Sequence, residues 1–159
     1  MTYESAYAMP SRILKTRETG GRVVFTNGCF DLLHPGHVYY LRAARSLGDA
    51  LVVGLNSDTS VRKLKGPSRP IVPERDRAAV LIGLESVDAV VIFGEDTPVR
   101  LLRELRPSMY VKGGDYRVED LPEAEVAVEI GAEVNILAFQ PGYSTTALIE
   151  KIKSATSDS

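Results

Sequence analysis

Short apolar runs recur along the chain, and a polar or glycine-containing stretch follows most of them. The runs are rich in β-branched residues and do not alternate apolar with polar side chains. That pattern is typical of strands buried on both faces of a parallel sheet. The predicted strands occupy residues 22–26, 50–55, 89–93, 109–111 and 134–137.

Between these strands, apolar positions follow the period of an α-helix. In residues 37–47, for example, Val38, Leu41 and Ala44 fall on one side, and Gly48 follows as a stop signal. Strands that alternate with helices form βαβ units, so we predict an α/β, Rossmann-like fold with three layers and a mostly parallel five-stranded sheet. The predicted helices occupy residues 11–17, 37–47, 58–64, 74–84, 98–105, 122–130 and 145–153.

The 159 residues are enough for one domain with a substantial core. We predict a leader at residues 1–20, a single domain at residues 21–153 and a flexible polar tail at residues 154–159. The leader is charged and lacks the apolar block of a signal peptide, and no apolar run approaches the roughly 18 residues of a membrane span. A single cysteine excludes an internal disulfide, so we expect a cytoplasmic protein.

Lysine and arginine number 19 and aspartate and glutamate 21, so the formal net charge is −2. This balance offers no general attraction to nucleic acid or to an anionic membrane, and neither is expected as a partner. Any attraction for a charged ligand must therefore be local. Acidic residues elsewhere are expected to offset a local cluster of cations, among them Glu119, Asp120, Glu123 and Glu125.

The carboxyl ends of parallel strands meet at one edge of the sheet, where α/β proteins bind ligands. Candidate ligand-binding residues should therefore lie just after strands. Segments with polar side chains and glycines do follow four of the predicted strands, at residues 27–37, 56–69, 112–116 and 140–146.

The first of these segments contains the two histidines of the chain, His34 and His37. Gly28 and Gly36 allow close approach of the backbone, and amides at the start of the predicted helix favour phosphate. Both imidazoles could donate to phosphoryl oxygens and neutralise charge that develops in a transition state. A metal site fits less well, because only Asp31 lies nearby as a further ligand. Structural histidines and a simple Pro-Gly turn remain alternatives.

A longer pattern, G-x-F-D-x-x-H-x-G-H at residues 28–37, resembles the signature of the cytidylyltransferase-like nucleotidyltransferases. The resemblance extends over about residues 22–153. It implies a fold of the HxGH type and transfer of a nucleoside monophosphate from a nucleoside triphosphate, with Mg²⁺, to a phosphorylated acceptor. The implied step is a direct in-line displacement that releases pyrophosphate. The chain lacks the glycine patterns of simple dehydrogenases and P-loop ATPases, which excludes those classes.

The resemblance also implies roles for individual residues. It assigns none of them as a metal ligand. The implied catalytic residues are His34, His37 and Lys65. The residues implied to bind the nucleotide are Cys29, Phe30, Gly36, Arg77, Gly142, Ser144, Thr145 and Thr146. The residues implied to bind the acceptor are Asp31, Lys63, Arg69, Lys112, Gly113 and Asp115.

Each of these segments also has a purely structural interpretation. The basic residues in 62–65 could form a solvated charge run, and Arg77 could pair with Glu74 on a helix surface. Residues 112–116 could form a plain turn. Residues 142–146 could simply cap the final helix.

Within the family, residues 64–71, 111–116 and 142–146 resemble adenylyltransferases that act on D-glycero-β-D-manno-heptose 1-phosphate. The implied substrates are ATP and that sugar 1-phosphate, and the implied assembly is a homodimer. The chain has no room for a sugar kinase, so a separate kinase is expected to supply the acceptor.

Two other functions remain open. The first is a CTP-dependent glycerol-3-phosphate cytidylyltransferase, although residues 139–141 read Phe-Gln-Pro where those enzymes carry an arginine. The second is a non-catalytic nucleotide-binding module.

Overall fold

The computed structural model describes residues 4–5 and 10–158. Their strands form one parallel six-stranded sheet with the order β1-β4-β3-β2-β5-β6. The predicted α/β, Rossmann-like fold is confirmed, and a short additional strand pairs with β4 at one edge. The strands are β1 (Glu4–Ser5), β2 (Val23–Gly28), β3 (Ala50–Asn56), β4 (Ala89–Phe93), β5 (Met109–Gly113) and β6 (Glu133–Leu137).

Helices connect the strands and cover both faces of the sheet. A 3₁₀ turn at Val118–Asp120, which the sequence pattern did not predict, lies between β5 and the next helix. The α-helices are α1 (Ser11–Glu18), α2 (Pro35–Arg45), α3 (Asp58–Lys65), α4 (Glu74–Ile82), α5 (Val99–Leu105), α6 (Ala124–Ile130) and α7 (Thr145–Ser157). Within residues 10–158, none of the helices is both long and apolar enough to cross a bilayer.

The core has two parts, one on each face of the sheet. Val24 of β2 packs in a cluster with Leu41 of α2, whereas its neighbour Phe25 packs in a second cluster with Ile13 of α1. This division follows from the pleat, because successive side chains of a strand point to opposite faces. Every residue of β3 is buried, which accounts for its continuous apolar sequence.

The direction of strand order reverses at β2, which lies between β3 and β5. β2 pairs with β5 only as far as Thr26 and Val111. Beyond that point the last two residues of β2 pair with β3, and the last two residues of β5 pair with β6. The two strands therefore separate at their carboxyl ends and open the crevice in which such sheets bind ligands.

Several element ends differ from the predicted ones. β2 continues to Gly28 and β5 to Gly113, while α2 begins at Pro35, a residue well suited to the first turn of a helix. Ile13 is fully buried, so the predicted leader contributes to the core. α7 continues to Ser157, through most of the segment predicted as a flexible tail.

The predicted domain boundaries stay a prediction. Two parts of the predicted leader, residues 1–3 and 6–9, lie outside the described residues. The same holds for residue 159 of the predicted tail.

Candidate active site

A cleft of about 700 Å³ lies beyond the carboxyl ends of β2, β3 and β5. The segments that were predicted to meet at this edge of the sheet do meet there, together with the start of α7. The roles of the individual residues stay predictions. Those predicted site residues that line the cleft are Cys29, Phe30, Asp31, His34, Gly36, His37, Lys65, Arg69, Lys112, Gly113, Ser144, Thr145 and Thr146.

His34 and His37 form a stacked pair at the start of α2. Their ring centroids are 3.8 Å apart, and the backbone N–H of His34 donates to Nδ1 of His37 at 3.2 Å. Burial and the neighbouring His34 lower the pKa of His37 to about 4. The ring of His37 is therefore neutral at pH 7, and because its Nδ1 accepts a hydrogen bond, its proton resides on Nε2.

The ring of His34 lies between His37 and Tyr143, whose ring is nearly parallel to it at a centroid distance of 6.0 Å. Burial lowers the pKa of His34 as well. Within residues 10–158, its Nδ1 is buried and has no hydrogen-bond partner. Unpaired buried polar atoms are uncommon, and they often mark a place where a ligand or water completes the site.

The backbone around the histidines is tightly constrained. A Cβ atom at Gly36 would lie 2.8 Å from Cβ of Tyr143 and 3.0 Å from the ring of His34, so glycine is required for this packing. Phe30 has a φ of +46°, a strained conformation for a bulky residue, and its ring lies 5.4 Å from that of His37. The loop after β2 is thus held in one shape against the histidine pair.

Asp31 was predicted to bind the acceptor, and that role stays a prediction. Its fully buried carboxylate accepts hydrogen bonds from Arg69 Nε at 2.6 Å, from the Ile71 N–H at 2.8 Å and from the Val72 N–H at 2.9 Å. Burial raises the pKa of Asp31, but these donors outweigh it and hold the pKa below its ordinary value. Asp31 therefore fixes the loop before α4 and orients Arg69 in the cleft wall.

Arg77 was predicted to reach the nucleotide phosphates, and this role also stays a prediction. Its side chain is fully buried beneath the cleft, where Nη1 donates to the carbonyls of Cys29 at 2.7 Å and Asn56 at 2.9 Å. Nε donates to the carbonyl of Val72, and Nη2 pairs with the carboxylate of Asp58 at 2.8 Å. Four of its five N–H groups therefore have acceptors within the protein.

The alternative interpretation, in which Arg77 pairs with Glu74 on a helix surface, is wrong because the side chain of Arg77 is buried. Glu74 instead accepts from the N–H of Asp58 at 2.7 Å. Both side chains therefore tie α4 to the start of α3.

Lys63, Asp115 and Gly142 do not line the cleft. Lys63 is exposed, and its Nζ lies 3.8 Å from the carboxylate of Asp96. Asp115 is exposed as well, and Gly142 has a φ of +89° in the turn before α7. The exposure of Lys63 matches the alternative that the sequence left open, a solvated charge run within residues 62–65.

The start of α7 is capped as the structural interpretation predicted. Ser144 Oγ accepts from the N–H of Ala147 at 3.3 Å. Thr145 Oγ1 donates to the carbonyl of Leu32 at 3.0 Å and so ties α7 to the loop after β2. Ser144, Thr145 and Thr146 nevertheless line the cleft, so capping and ligand binding are compatible here.

Three cationic side chains line the cleft, which makes it locally suited to phosphate groups. They are Lys65 at the end of α3, Arg69 in the following loop and Lys112 at the end of β5. Nζ of Lys112 lies 5.9 Å from the centroid of the Tyr116 ring. In the part of the chain that the structure describes, no three His, Cys, Asp or Glu side chains are grouped to hold a metal ion.

Comparison with known proteins decides the family. Residues 25–151 match the family described as cytidylyltransferase-like. The chain belongs to this family. The resemblance noted for the G-x-F-D-x-x-H-x-G-H pattern is thereby confirmed, and this cytidylyltransferase-like protein is a nucleotidyltransferase.

Several curated relatives of this nucleotidyltransferase are named bifunctional protein HldE. The one from Rhodopseudomonas palustris (strain BisB5) is 55% identical over 145 residues, which are 91% of this chain and 30% of the relative. The one from Helicobacter pylori (strain J99 / ATCC 700824) is 51% identical over 148 residues, 92% of this chain and 31% of the relative. The chain thus spans about a third of the length of these relatives.

A solved structure is also similar to this nucleotidyltransferase. It is a lipopolysaccharide core biosynthesis protein from Thermoplasma volcanium, 31% identical, with a TM-score of 0.62. The match covers 76% of this chain and 98% of that one.

The cleft of this nucleotidyltransferase has further wall residues that the sequence analysis missed. Tyr116 and Tyr143 belong to segments that were singled out, so their aromatic rings could have been noticed there. Glu123 was expected to offset charge outside the site, and this is wrong, because it lines the cleft and is buried. No sequence signal distinguishes Glu123 from its acidic neighbours. The other missed wall residues are Asn27, Tyr40, Asn56, Leu64, Asp96, Phe139 and Gln140.

Proposed function

We propose that this nucleotidyltransferase transfers AMP from ATP to the 1-phosphate of D-glycero-β-D-manno-heptose, with release of pyrophosphate, and is an ADP-heptose synthase. The observation that supports this most is the neutral pair of His34 and His37 in a cleft that also presents Lys65, Arg69 and Lys112. Such a site suits a ligand with several phosphates. The similarity to a lipopolysaccharide core biosynthesis protein favours a sugar acceptor.

In the proposed reaction an oxygen of the sugar 1-phosphate attacks the α-phosphorus of ATP. A new P–O bond forms, the bond from the α-phosphorus to its bridging oxygen breaks, and pyrophosphate leaves with the electron pair. A phosphate monoester has a second pKa of about 6, so the attacking oxygen is already anionic at pH 7. No general base is needed, and catalysis consists of positioning and charge neutralisation.

The chain's own side chains would supply that neutralisation. The N–H at Nε2 of His37 would donate to a phosphoryl oxygen as negative charge moves toward the leaving group, and His34 would act beside it. Lys65 would contact the triphosphate and Lys112 the acceptor phosphate. Mg²⁺ enters this proposal as part of the MgATP substrate.

A substrate panel tests the proposal. Pyrophosphate release is measured with ATP, CTP, GTP or UTP, each with heptose 1-phosphate, other sugar 1-phosphates or glycerol 3-phosphate. We expect the highest kcat/KM with ATP and heptose 1-phosphate. Release only with CTP and glycerol 3-phosphate would identify a glycerol-3-phosphate cytidylyltransferase instead. Tight ATP binding without turnover of any acceptor would identify a non-catalytic module.

Three further expectations belong to the same proposal. We propose that a separate sugar kinase supplies the sugar 1-phosphate. We also propose a homodimer, which sedimentation equilibrium of the purified chain would test. The cytoplasm, where ATP is available, is the proposed location.

A further inference from the structure

Glu123 is a buried acid in the wall of the cleft, and nothing above gives it a role. It is the residue before the first turn of α6 and is only 4% exposed. Its Oε2 is buried and has no hydrogen-bond partner within residues 10–158. No lysine or arginine of that part of the chain forms an ion pair with it either.

Tyr110, whose pKa is raised by burial and next by the negative charge of Glu123, does not supply that partner. The hydroxyl of Tyr110 donates to Oδ1 of Asn27 at 2.8 Å. The Tyr110 hydroxyl therefore does not satisfy Oε2 of Glu123.

A buried carboxylate oxygen without a donor is unfavourable, because its desolvation is not compensated. Other buried acids of this chain do have donors: the Asp31 carboxylate receives three, and the Asp88 carboxylate contacts Arg12 and Arg45. Glu123 lines the cleft as Asp31 does, but its Oε2 has no donor within residues 10–158. A ligand that brings hydrogen-bond donors would compensate it.

Other residues of the cleft wall indicate the chemistry of that ligand. Tyr116 and Phe139 also line the cleft and are 52% and 63% exposed, so their rings are accessible to a ligand. Their rings lie directly on the backbone of Gly114 and Gly113, where a Cβ would be 2.7 Å and 2.6 Å away. Aromatic faces provide apolar area for the C–H face of a sugar ring, and a carboxylate accepts from sugar hydroxyls.

Phosphate is excluded as the group that contacts Glu123. A phosphate monoester is negatively charged at pH 7 and has no hydrogen-bond donor in its dianionic form, so it would be repelled by a carboxylate. The same cleft offers phosphates the cationic side chain of Lys112. The acid and the cation therefore suit different parts of one ligand.

We propose that Glu123 is a specificity-determining residue that accepts hydrogen bonds from the hydroxyl groups of a sugar ring bound beyond β5, against Tyr116 and Phe139. The inference rests on the proposed function in so far as that function brings sugars to this cleft. Two sources share the chemistry, the ring of the acceptor sugar and the ribose of ATP. The experiment below distinguishes them.

The test measures binding rather than turnover. Dissociation constants are determined by calorimetry for wild type and Glu123→Gln with four probes: heptose 1-phosphate, methyl phosphate, ATP and 2′,3′-dideoxy-ATP. Glutamine keeps the shape but removes the charge. Glu125→Gln is the matched control, because Glu125 is exposed on the same helix. Thermal melts of both variants confirm folding.

Each pair of probes, with and without sugar hydroxyl groups, gives a preference, which is the ratio of their two dissociation constants. We expect Glu123→Gln to reduce one of the two preferences by roughly 10-fold to 100-fold, because it weakens hydrogen bonds to a charged acceptor. Loss of the preference for heptose 1-phosphate over methyl phosphate assigns Glu123 to the acceptor. Loss of the preference for ATP over the dideoxy analogue assigns it to the ribose. A merely structural residue would change all four constants together.

The inference is overturned if both preferences are the same in wild type and variant, or if wild type has neither preference. It stands, and the proposed function fails, if the preference depends on Glu123 while no acceptor is converted to product. Because binding is measured separately from turnover, the two failures are distinguishable.

Discussion

His37 is kept neutral by its burial beside His34 at the start of α2. Its Nδ1 accepts from the backbone of His34, its ring stacks on the other imidazole, and its pKa is lowered to about 4. A neutral imidazole with its proton on Nε2 is a hydrogen-bond donor over the whole physiological pH range. The pair can thus stabilise developing charge without first being protonated.

Replacing His37 tests this role. We expect His37→Ala to lower kcat roughly 100-fold or more, by analogy with the removal of a donor to a developing oxyanion. Pyrophosphate release measures kcat, and circular dichroism checks that the variant folds. Arg42→Ala, on the exposed face of the same helix, is the control and should turn over normally. Unchanged turnover in His37→Ala would remove the ring from the mechanism.

The lowered pKa of His37 predicts how stability depends on pH. Above pH 6.5 the ring is neutral in both the folded and the unfolded chain. Between pH 6.5 and about 4 the unfolded chain takes up a proton that the folded protein does not, so the free energy of unfolding falls with falling pH. Urea unfolding of wild type at pH 7 and pH 5 measures this.

His37→Gln is the reference for that measurement, because glutamine does not titrate. Its free energy of unfolding should decrease less between pH 7 and pH 5 than that of wild type. An identical decrease in both proteins would show that His37 titrates near its ordinary pKa.

At the scale of elements, Arg77 of α4 joins four segments that form the floor of the cleft. It contacts the loop before α4, the residue after β2, the end of β3 and the start of α3. Asp31 joins the loop after β2 to the same loop before α4. These two buried charges hold the pieces of the site in register.

Arg77→Lys should therefore act mainly on stability. An ammonium group cannot reach four acceptors at once, so we expect the free energy of unfolding to fall by about 3 kcal/mol, as measured by urea denaturation. Arg75→Lys, exposed on the same helix, should stay within about 0.5 kcal/mol of wild type. Full stability combined with a loss of ATP affinity would instead favour the phosphate contact that the family resemblance implies.

At the scale of the whole molecule, the sheet and its ligand-binding edge could be predicted from the sequence. β3 and β4 are buried along almost their whole length, so their continuous apolar runs were recognisable. The convergence of the histidines, Lys65, Lys112 and the start of α7 followed from parallel strand ends meeting at one edge.

The direction of charged side chains could not be predicted in the same way. Arg77 and Glu123 both belong to acidic and basic stretches that read as solvated helix surface. Which side of a short helix is buried depends on how it packs against the rest of the fold, and sequence spacing does not show that. The net charge of −2 likewise concealed a cleft whose wall, within the described residues, has three cations and two buried acids, Asp31 and Glu123.

Product analysis tests the central claim most directly. The purified chain is incubated with MgATP and D-glycero-β-D-manno-heptose 1-phosphate, and products are quantified by mass spectrometry and a pyrophosphate assay. We expect one ADP-heptose for each pyrophosphate released, and no AMP-linked enzyme. The absence of ADP-heptose, with the chain folded and ATP bound, would contradict it.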